Sequence, residues 1–238
     1  MTLTAVLLIV SAYLFGAVPS AYLVARYIKG IDIRQYGSGN MGATNVMAFV
    51  GNRTGFLLGT YDCLAKGTLP VVLANLLDQS IGVQIGAGLA GVVGHAWSPY
   101  MRFTGGRGIA TFTGVLFGFG MFYEVMILVF VLGVFGRVIF HEAGLWTFLC
   151  LLALPPLAFL FGRDPALVYM TMTAVPILLL KRLTANWERP LGGHSMIRVS
   201  FTRILWDRDV SRKEEWTERR PPWENKGPSK DGGDNVLR

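Results

Sequence analysis

Residues 3–25 read LTAVLLIVSAYLFGAVPSAYLVA. No Asp, Glu, Lys or Arg interrupts the run, and a helix of this length crosses the roughly 30 Å hydrocarbon core of a bilayer at about 1.5 Å per residue. Apolar runs recur at 55–77, 81–97, 108–120, 121–140, 145–161 and 166–180. The chain therefore reads as an all-α, polytopic membrane protein with about seven transmembrane helices. The run at 108–120 is short, and joining it to the next leaves five or six crossings. The first run lacks a basic segment ahead of it, and Pro19-Ser20-Ala21 is a weak cleavage sequence, so it is read as a span rather than a signal peptide.

Composition agrees with a membrane protein: 52% of residues are hydrophobic and 16% charged, with a mean hydropathy of +0.45, against about 25% charged in soluble domains. Half of the 22 basic residues and most of the 15 acidic ones lie beyond Arg182. The sequence thus divides into a membrane-embedded part, 1–182, and a charged tail, 183–238. The tail mixes Trp206, Trp216 and Trp223 with both charge signs and reads first as a segment near the membrane surface. Its Pro-, Gly-, Asp- and Lys-rich end from Pro221 reads as disordered.

With seven crossings, one side of the membrane receives Arg26, Lys29, Arg34, Arg53, Arg102, Arg107, Arg137, Lys181 and Arg182, and the other only Arg163 beside Asp164. The positive-inside rule makes the first side cytoplasmic, with the amino terminus outside and the carboxyl terminus inside. These loops account for much of the +7 net charge, so the charge is no argument for a nucleic-acid partner. Cys63 and Cys150 lie within spans and support neither a disulfide framework nor a metal site. His141-Glu142 is followed by Leu145 where a zinc-hydrolase motif needs histidine. Glu124 stands near the outer surface with no evident partner.

Polar chemistry is confined to a few places. Residues 36–46 read YGSGNMGATNV: Gly37, Gly39 and Gly42 permit turns in which successive N–H groups converge on an anion, and Ser38, Asn40, Thr44 and Asn45 add short hydrogen-bonding groups. Residues 94–111 read GHAWSPYMRFTGGRGIAT. There Gly105, Gly106 and Gly108 surround Arg107 at a helix entry, a setting for a phosphate-like ligand, although Arg107 could instead snorkel at the interface. His95 could be a base, a ligand-holding group or a structural hydrogen bonder. Asp62 and Lys66, four apart on the second span, can neutralise one another in the membrane and brace the site from beneath. The predicted topology brings both glycine loops and the tail to one face.

These residues carry a resemblance. GSGNMGATNV at 37–46 and GHAWSPYMRFTGGRGIAT at 94–111, with Asp62, Lys66-Gly67 and Asn186, resemble the bacterial acyl-phosphate:glycerol-3-phosphate acyltransferases of the PlsY type, over about residues 15–189. The resemblance implies an inner-membrane enzyme with cytoplasmic site loops. It would move a fatty acyl group from acyl phosphate to the 1-hydroxyl of glycerol 3-phosphate, giving lysophosphatidate and phosphate, with no cofactor, coenzyme A or metal. Ser38, Arg107 and His95 are the candidates at the reacting centre. Gly37, Gly39, Asn40, Gly42, Thr44, Asn45, Gly105, Gly106, Gly108 and Asn186 become substrate-binding, with Asp62 and Lys66 supporting. Arg107 stands where the family usually has lysine. Ala48 replaces a family arginine, His141 and Glu142 a serine pair, Leu183 a histidine and Thr104 a lysine, while Pro99 and Lys66 each stand one residue late. The departures leave open a non-catalytic or altered-substrate relative that binds a phosphorylated lipid or polyol. An anion transporter would place its site near the midplane between inverted repeats, and no internal repeat is seen. The oligomeric state is left open and is compatible with a monomer.

Overall fold

The computed structural model describes residues 2–187, 195–210, 213–221 and 223–224. Every regular element among them is helical. Helices α1 (Leu3–Gly16) and α2 (Ser20–Lys29) form one apolar rod broken at Pro19, which cannot donate to the helical ladder. Freed carbonyls at the break find side-chain donors: Ser98 Oγ donates to Ala17 O at 2.6 Å and Lys66 Nζ to Val18 O at 2.7 Å. Next come α3 (Ala43–Phe49), α4 (Asn52–Tyr61), a π-helical segment (Asp62–Thr68), α5 (Leu69–Leu76) and α6 (Ile81–Ala96). Then follow α7 (Ile109–Gly118), α8 (Phe122–Val131) with a second π-helical segment (Leu132–Ile139), α9 (Ala143–Leu160) and α10 (Pro165–Thr184). The tail contributes α11 (Met196–Trp206) and α12 (Lys213–Thr217).

Among the described residues, five helical stretches are long and apolar enough to cross a membrane: Leu3–Lys29, Asn52–Leu76, Phe122–Ile139, Ala143–Leu160 and Pro165–Thr184. The runs at 81–97 and 108–120 become the shorter helices α6 and α7, and ten residues of α7 reach only about 15 Å. Left-handed Gly120 separates α7 from α8, so the two do not merge.

Helices packed in lipid gain little from hydrophobicity and associate where small residues allow close approach. Here α1 crosses α6 so closely that a β-carbon at Gly94 would fall 2.1 Å from Tyr13 O. The main core joins Val71, Val92, Phe112, Leu116, Leu154 and Leu178, while Leu57, Phe130, Phe159 and Leu160 face outward. Glu124 corrects the sequence reading. It is fully buried and receives two hydrogen bonds from Arg163, Nε at 2.6 Å and Nη2 at 2.8 Å, a pairing between residues 39 positions apart that no local pattern announces.

The first part of the tail is packed against the helices. Gly144 on α9 lies so close beneath α11 that a β-carbon would be 2.3 Å from Trp206 O, and Arg203 clamps Asp209 at 2.5 and 2.8 Å. Met196, Ile197 and Phe201 point outward from α11. The segment expected to be disordered falls largely outside the described residues, which end at 224.

Candidate active site

The first loop begins where Asp32 caps a helical turn at Ile33–Gln35 and pairs with Arg34 at 2.6 Å. The hydrogen bond from Arg34 holds the Asp32 carboxyl below its ordinary pKa. Asn45 on α3 is buried, and its amide NH₂ donates to Ile33 O, Tyr36 O and Asn40 O at 2.9–3.2 Å. Its donors shape the loop, which corrects the expectation that they face a ligand. The backbone nest is narrower than the glycine spacing implied. Gly39 N–H donates to Tyr36 O, Asn40 N–H to Ser38 Oγ and Gly37 N–H to Arg219 O of the tail. Gly37 and Gly39 serve as left-handed corners, at φ 52° and 68°. Ser38, Gly42, exposed Thr44 and Asn40, whose Oδ1 is buried without a hydrogen-bond partner among the described residues, are then this loop's candidates for a ligand. Ala48 lies exposed one turn beyond Thr44.

The second loop folds back on the end of α6. Gly106 N–H donates to His95 O at 3.0 Å, and Gly105 N–H donates to Asn186 Oδ1 at 3.0 Å. Asn186 Oδ1 also accepts from Lys181 Nζ at 2.6 Å, so the end of α10 is tied to this loop. A β-carbon at Gly106 would lie 2.0 Å from His95 Nε2 and 2.9 Å from Met41 O. The two glycine loops therefore meet at Gly106 and Met41. Gly108 is left-handed, at φ 79°, and leads into α7.

Arg107 is largely buried rather than snorkelling. Its Nη1 donates to Lys181 O at 3.2 Å, and its Nε lies 2.7 Å from Asp207 Oδ1 at the end of α11. That short distance is an ion contact and not a hydrogen bond. Both atoms are buried without a hydrogen-bond partner, which means the N–H is not aimed at the oxygen. Sequence reading missed Lys181 and Asp207. Lys181 counted only as a topological charge, and nothing local marks an aspartate 100 residues from its arginine.

Beneath the loops, Lys66 Nζ lies 2.9 Å from Asp62 Oδ1, both side chains being 1% exposed. Ser20 joins them, donating to Asp62 at 2.9 Å and accepting from Lys66 at 2.8 Å. His95 Nδ1 stands 3.8 Å from Asp62 Oδ1. A small pocket lined by Ser20, Met41, Lys66, His95, Ser98 and Gly106 separates this group from the loops. Beyond Arg107 an apolar cavity, partly open at the surface, lies between α7, α8 and α9, lined by Ile109, Phe112, Leu116, Leu128, Cys150 and Leu151 among others.

Three positions that depart from the resemblance meet the tail. His141 O accepts from Lys213, Glu142 pairs with Arg208 at 3.0 Å, and Leu183 O accepts from Arg203 at 3.0 Å. Arg53 and Arg137, the arginines nearest in sequence that could offset the phosphate contacts missing at Ala48, His141 and Glu142 if they reached the site, are exposed.

The family described as glycerol-3-phosphate acyltransferase matches residues 6–193. The chain belongs to the glycerol-3-phosphate acyltransferase family. Glycerol-3-phosphate acyltransferase 5 of Dehalococcoides mccartyi is 34% identical over 247 residues, covering 100% of both chains. A glycerol-3-phosphate acyltransferase of Parasynechococcus marenigrum is 38% identical over 197 residues, covering 80% of this chain and 88% of the relative. Among solved structures, the integral membrane glycerol 3-phosphate acyltransferase PlsY in its glycerol 3-phosphate form matches with a TM-score of 0.66 and 27% identity, over 79% of this chain and 96% of that one. Its lysophosphatidic acid form matches with a TM-score of 0.64 and 28% identity, over 82% and 98%. This chain is accordingly an integral membrane protein of the acyltransferase family; the family match ends at residue 193, while the Dehalococcoides relative aligns over the tail as well.

Proposed function

We propose that this protein transfers a fatty acyl group from acyl phosphate to the 1-hydroxyl of glycerol 3-phosphate, releasing lysophosphatidate and inorganic phosphate at the cytoplasmic face of the bacterial inner membrane. The observation that carries the reading is one juxtaposition. The two glycine loops meet at Gly106 and Met41, the end of α10 is tied to Gly105 and Arg107, and an apolar cavity lies beyond at Ile109. A phosphate at the loops and an alkyl chain in the cavity would set the acyl carbonyl between them.

Acyl phosphate is an activated mixed anhydride, so the protein's share is orientation and charge stabilisation. The glycerol oxygen attacks the carbonyl carbon and the bond from that carbon to the phosphate oxygen breaks. Phosphate leaves with the electron pair, and the hydroxyl proton passes to it. Arg107 neutralises the charge gathering on phosphate, with Ser38 and Thr44 on the first loop as hydrogen-bonding partners. Gly105, Gly108 and Asn186 shape the second loop around glycerol phosphate. We assign His95 to positioning, since its Nε2 lies against the α-carbon of Gly106. Asp62 and Lys66 brace the break at Pro19 and the floor of the loops.

The reading is tested by phosphate release from palmitoyl phosphate by the purified full chain, with and without glycerol 3-phosphate. Release that depends on the acceptor is expected. Acceptor-independent release, or none, sinks the transferase; none with binding still visible by thermal shift selects the non-catalytic relative.

Arg107→Ala is expected to raise the KM for glycerol 3-phosphate about tenfold or more, from loss of a charge-assisted contact of about 1.5–3 kcal/mol. Arg107→Lys keeps a point charge and should fall between. An alanine variant with unchanged KM and kcat removes Arg107 from the site. Ala48→Arg is the reverse test, improving acceptor affinity where the face it shares with Thr44 borders the phosphate.

A further inference from the structure

Arg107, Lys181 and Arg182 gather near one carboxylate, Asp207, at the junction of the second loop, α10 and the tail. Asp207 Oδ1 lies 2.7 Å from Arg107 Nε, and Arg107 Nη1 donates to Lys181 O, one residue before Arg182. Lys181 is fully buried and stands 5.3 Å from the centre of the Trp97 ring, its ammonium held by Asn186. Arg182 gives Nη1 to the carbonyls of Gly144 and Ile204 at 3.0 and 2.9 Å. Nearby acids are engaged elsewhere: Asp209 is bidentate on Arg203, and Glu142 pairs with Arg208. A single carboxylate therefore faces a surplus of positive charge in a buried setting.

The polar atoms there are poorly satisfied. Arg107 Nε, Arg182 Nε and Asp207 Oδ1 are all buried without a hydrogen-bond partner among the described residues. Buried polar atoms left this way are uncommon and call for a cause. The neighbouring Arg203–Asp209 pair shows what alignment looks like when a tail ion pair serves the fold alone. A phosphate monoester carries close to two charges near neutral pH and three acceptor oxygens, and would match both the surplus and the orphaned donors better than a carboxylate does.

We propose that Arg107 and Lys181 together form the seat for a substrate phosphate monoester, and that Asp207 occupies this seat until the phosphate displaces it. The tail is thus an internal competitor. It also takes the N–H of Gly37 in the first loop, through Arg219 O at 2.8 Å, and Glu224 receives a hydrogen bond from Tyr36. The assignment of Arg107 to substrate phosphate rests on the proposed function; the competition by Asp207 goes beyond it.

The test is the affinity of the purified full chain for glycerol 3-phosphate, measured by calorimetry beside wild type. Asp207→Asn keeps the shape and removes the charge, so more of the protein is competent to bind and the Kd should fall about fivefold. Asp207→Glu, which restores the charge, should stay near wild type, and Lys181→Met should weaken binding about tenfold. Hydrogen exchange provides a readout that does not rely on substitution. Saturating glycerol 3-phosphate should raise exchange across 196–209 in wild type, and Asp207→Asn should already show it. Unchanged or weaker affinity in Asp207→Asn, or slower tail exchange on binding, overturns the proposal. An Asp207→Asn protein that binds more tightly while wild type releases no phosphate from palmitoyl phosphate would sink the transferase and leave the seat standing. An active transferase indifferent to Asp207→Asn does the reverse.

Discussion

Gly106→Leu is expected to lower acyl transfer by about a hundredfold or more, because ångström-scale displacement of a positioning loop has effects of that size. The first atom added would sit 2.0 Å from His95 Nε2 and 2.9 Å from Met41 O. One side is an imidazole held in a buried pocket, the other the backbone of the opposing loop, and neither is the free end of a flexible chain. Relief therefore requires the second loop to leave His95 O and the two loops to part. Gly106→Ala carries the same first atom and should already lose most activity. Its thermal midpoint should fall by an amount corresponding to about 1–3 kcal/mol of overpacking. Adding His95→Ala to Gly106→Ala returns space on the crowded side and should recover part of that stability. Acyl transfer at the wild-type rate in the leucine variant would mean the two loops do not form the site.

The second large effect is on stability. Asp62→Leu leaves the Lys66 ammonium, 1% exposed, with the neutral acceptors Val18 O and Ser20 Oγ and the face of the Tyr61 ring. Breaking one side of a buried ion pair costs about 3–5 kcal/mol, whereas replacing both partners by apolar residues is often nearly neutral. Thermal unfolding in a mild detergent should therefore show a large loss for Asp62→Leu and substantial recovery in Asp62→Leu/Lys66→Met. The double variant still lacks the donor to Val18 O at the Pro19 break, so recovery should be incomplete. A single variant within about 1 kcal/mol of wild type would mean that water or lipid headgroups already reach the pair, contrary to its burial.

Much of this molecule follows from local pattern. Apolar run length and the scarcity of charge made it an all-helical membrane protein, since a chain in hydrocarbon must satisfy its own backbone and a helix does so within one segment. The four-residue spacing of Asp62 and Lys66 allowed an ion pair, and two glycine loops marked the polar face. Those features depend on neighbours in the chain, where spacing and residue type carry the physics. What the loops face was not legible. Gly37 N–H belongs to the tail, the Asn45 amide to its own loop, and Glu124 to an arginine on another turn. Nor could spacing show that Arg107 would meet Asp207 beside Lys181, across separations of 100 and 74 residues. Those partners are chosen by how the helices cross. Close crossings such as Gly94 on Tyr13 set which distant groups share a buried space, and buried charges and donors then take the partners found there.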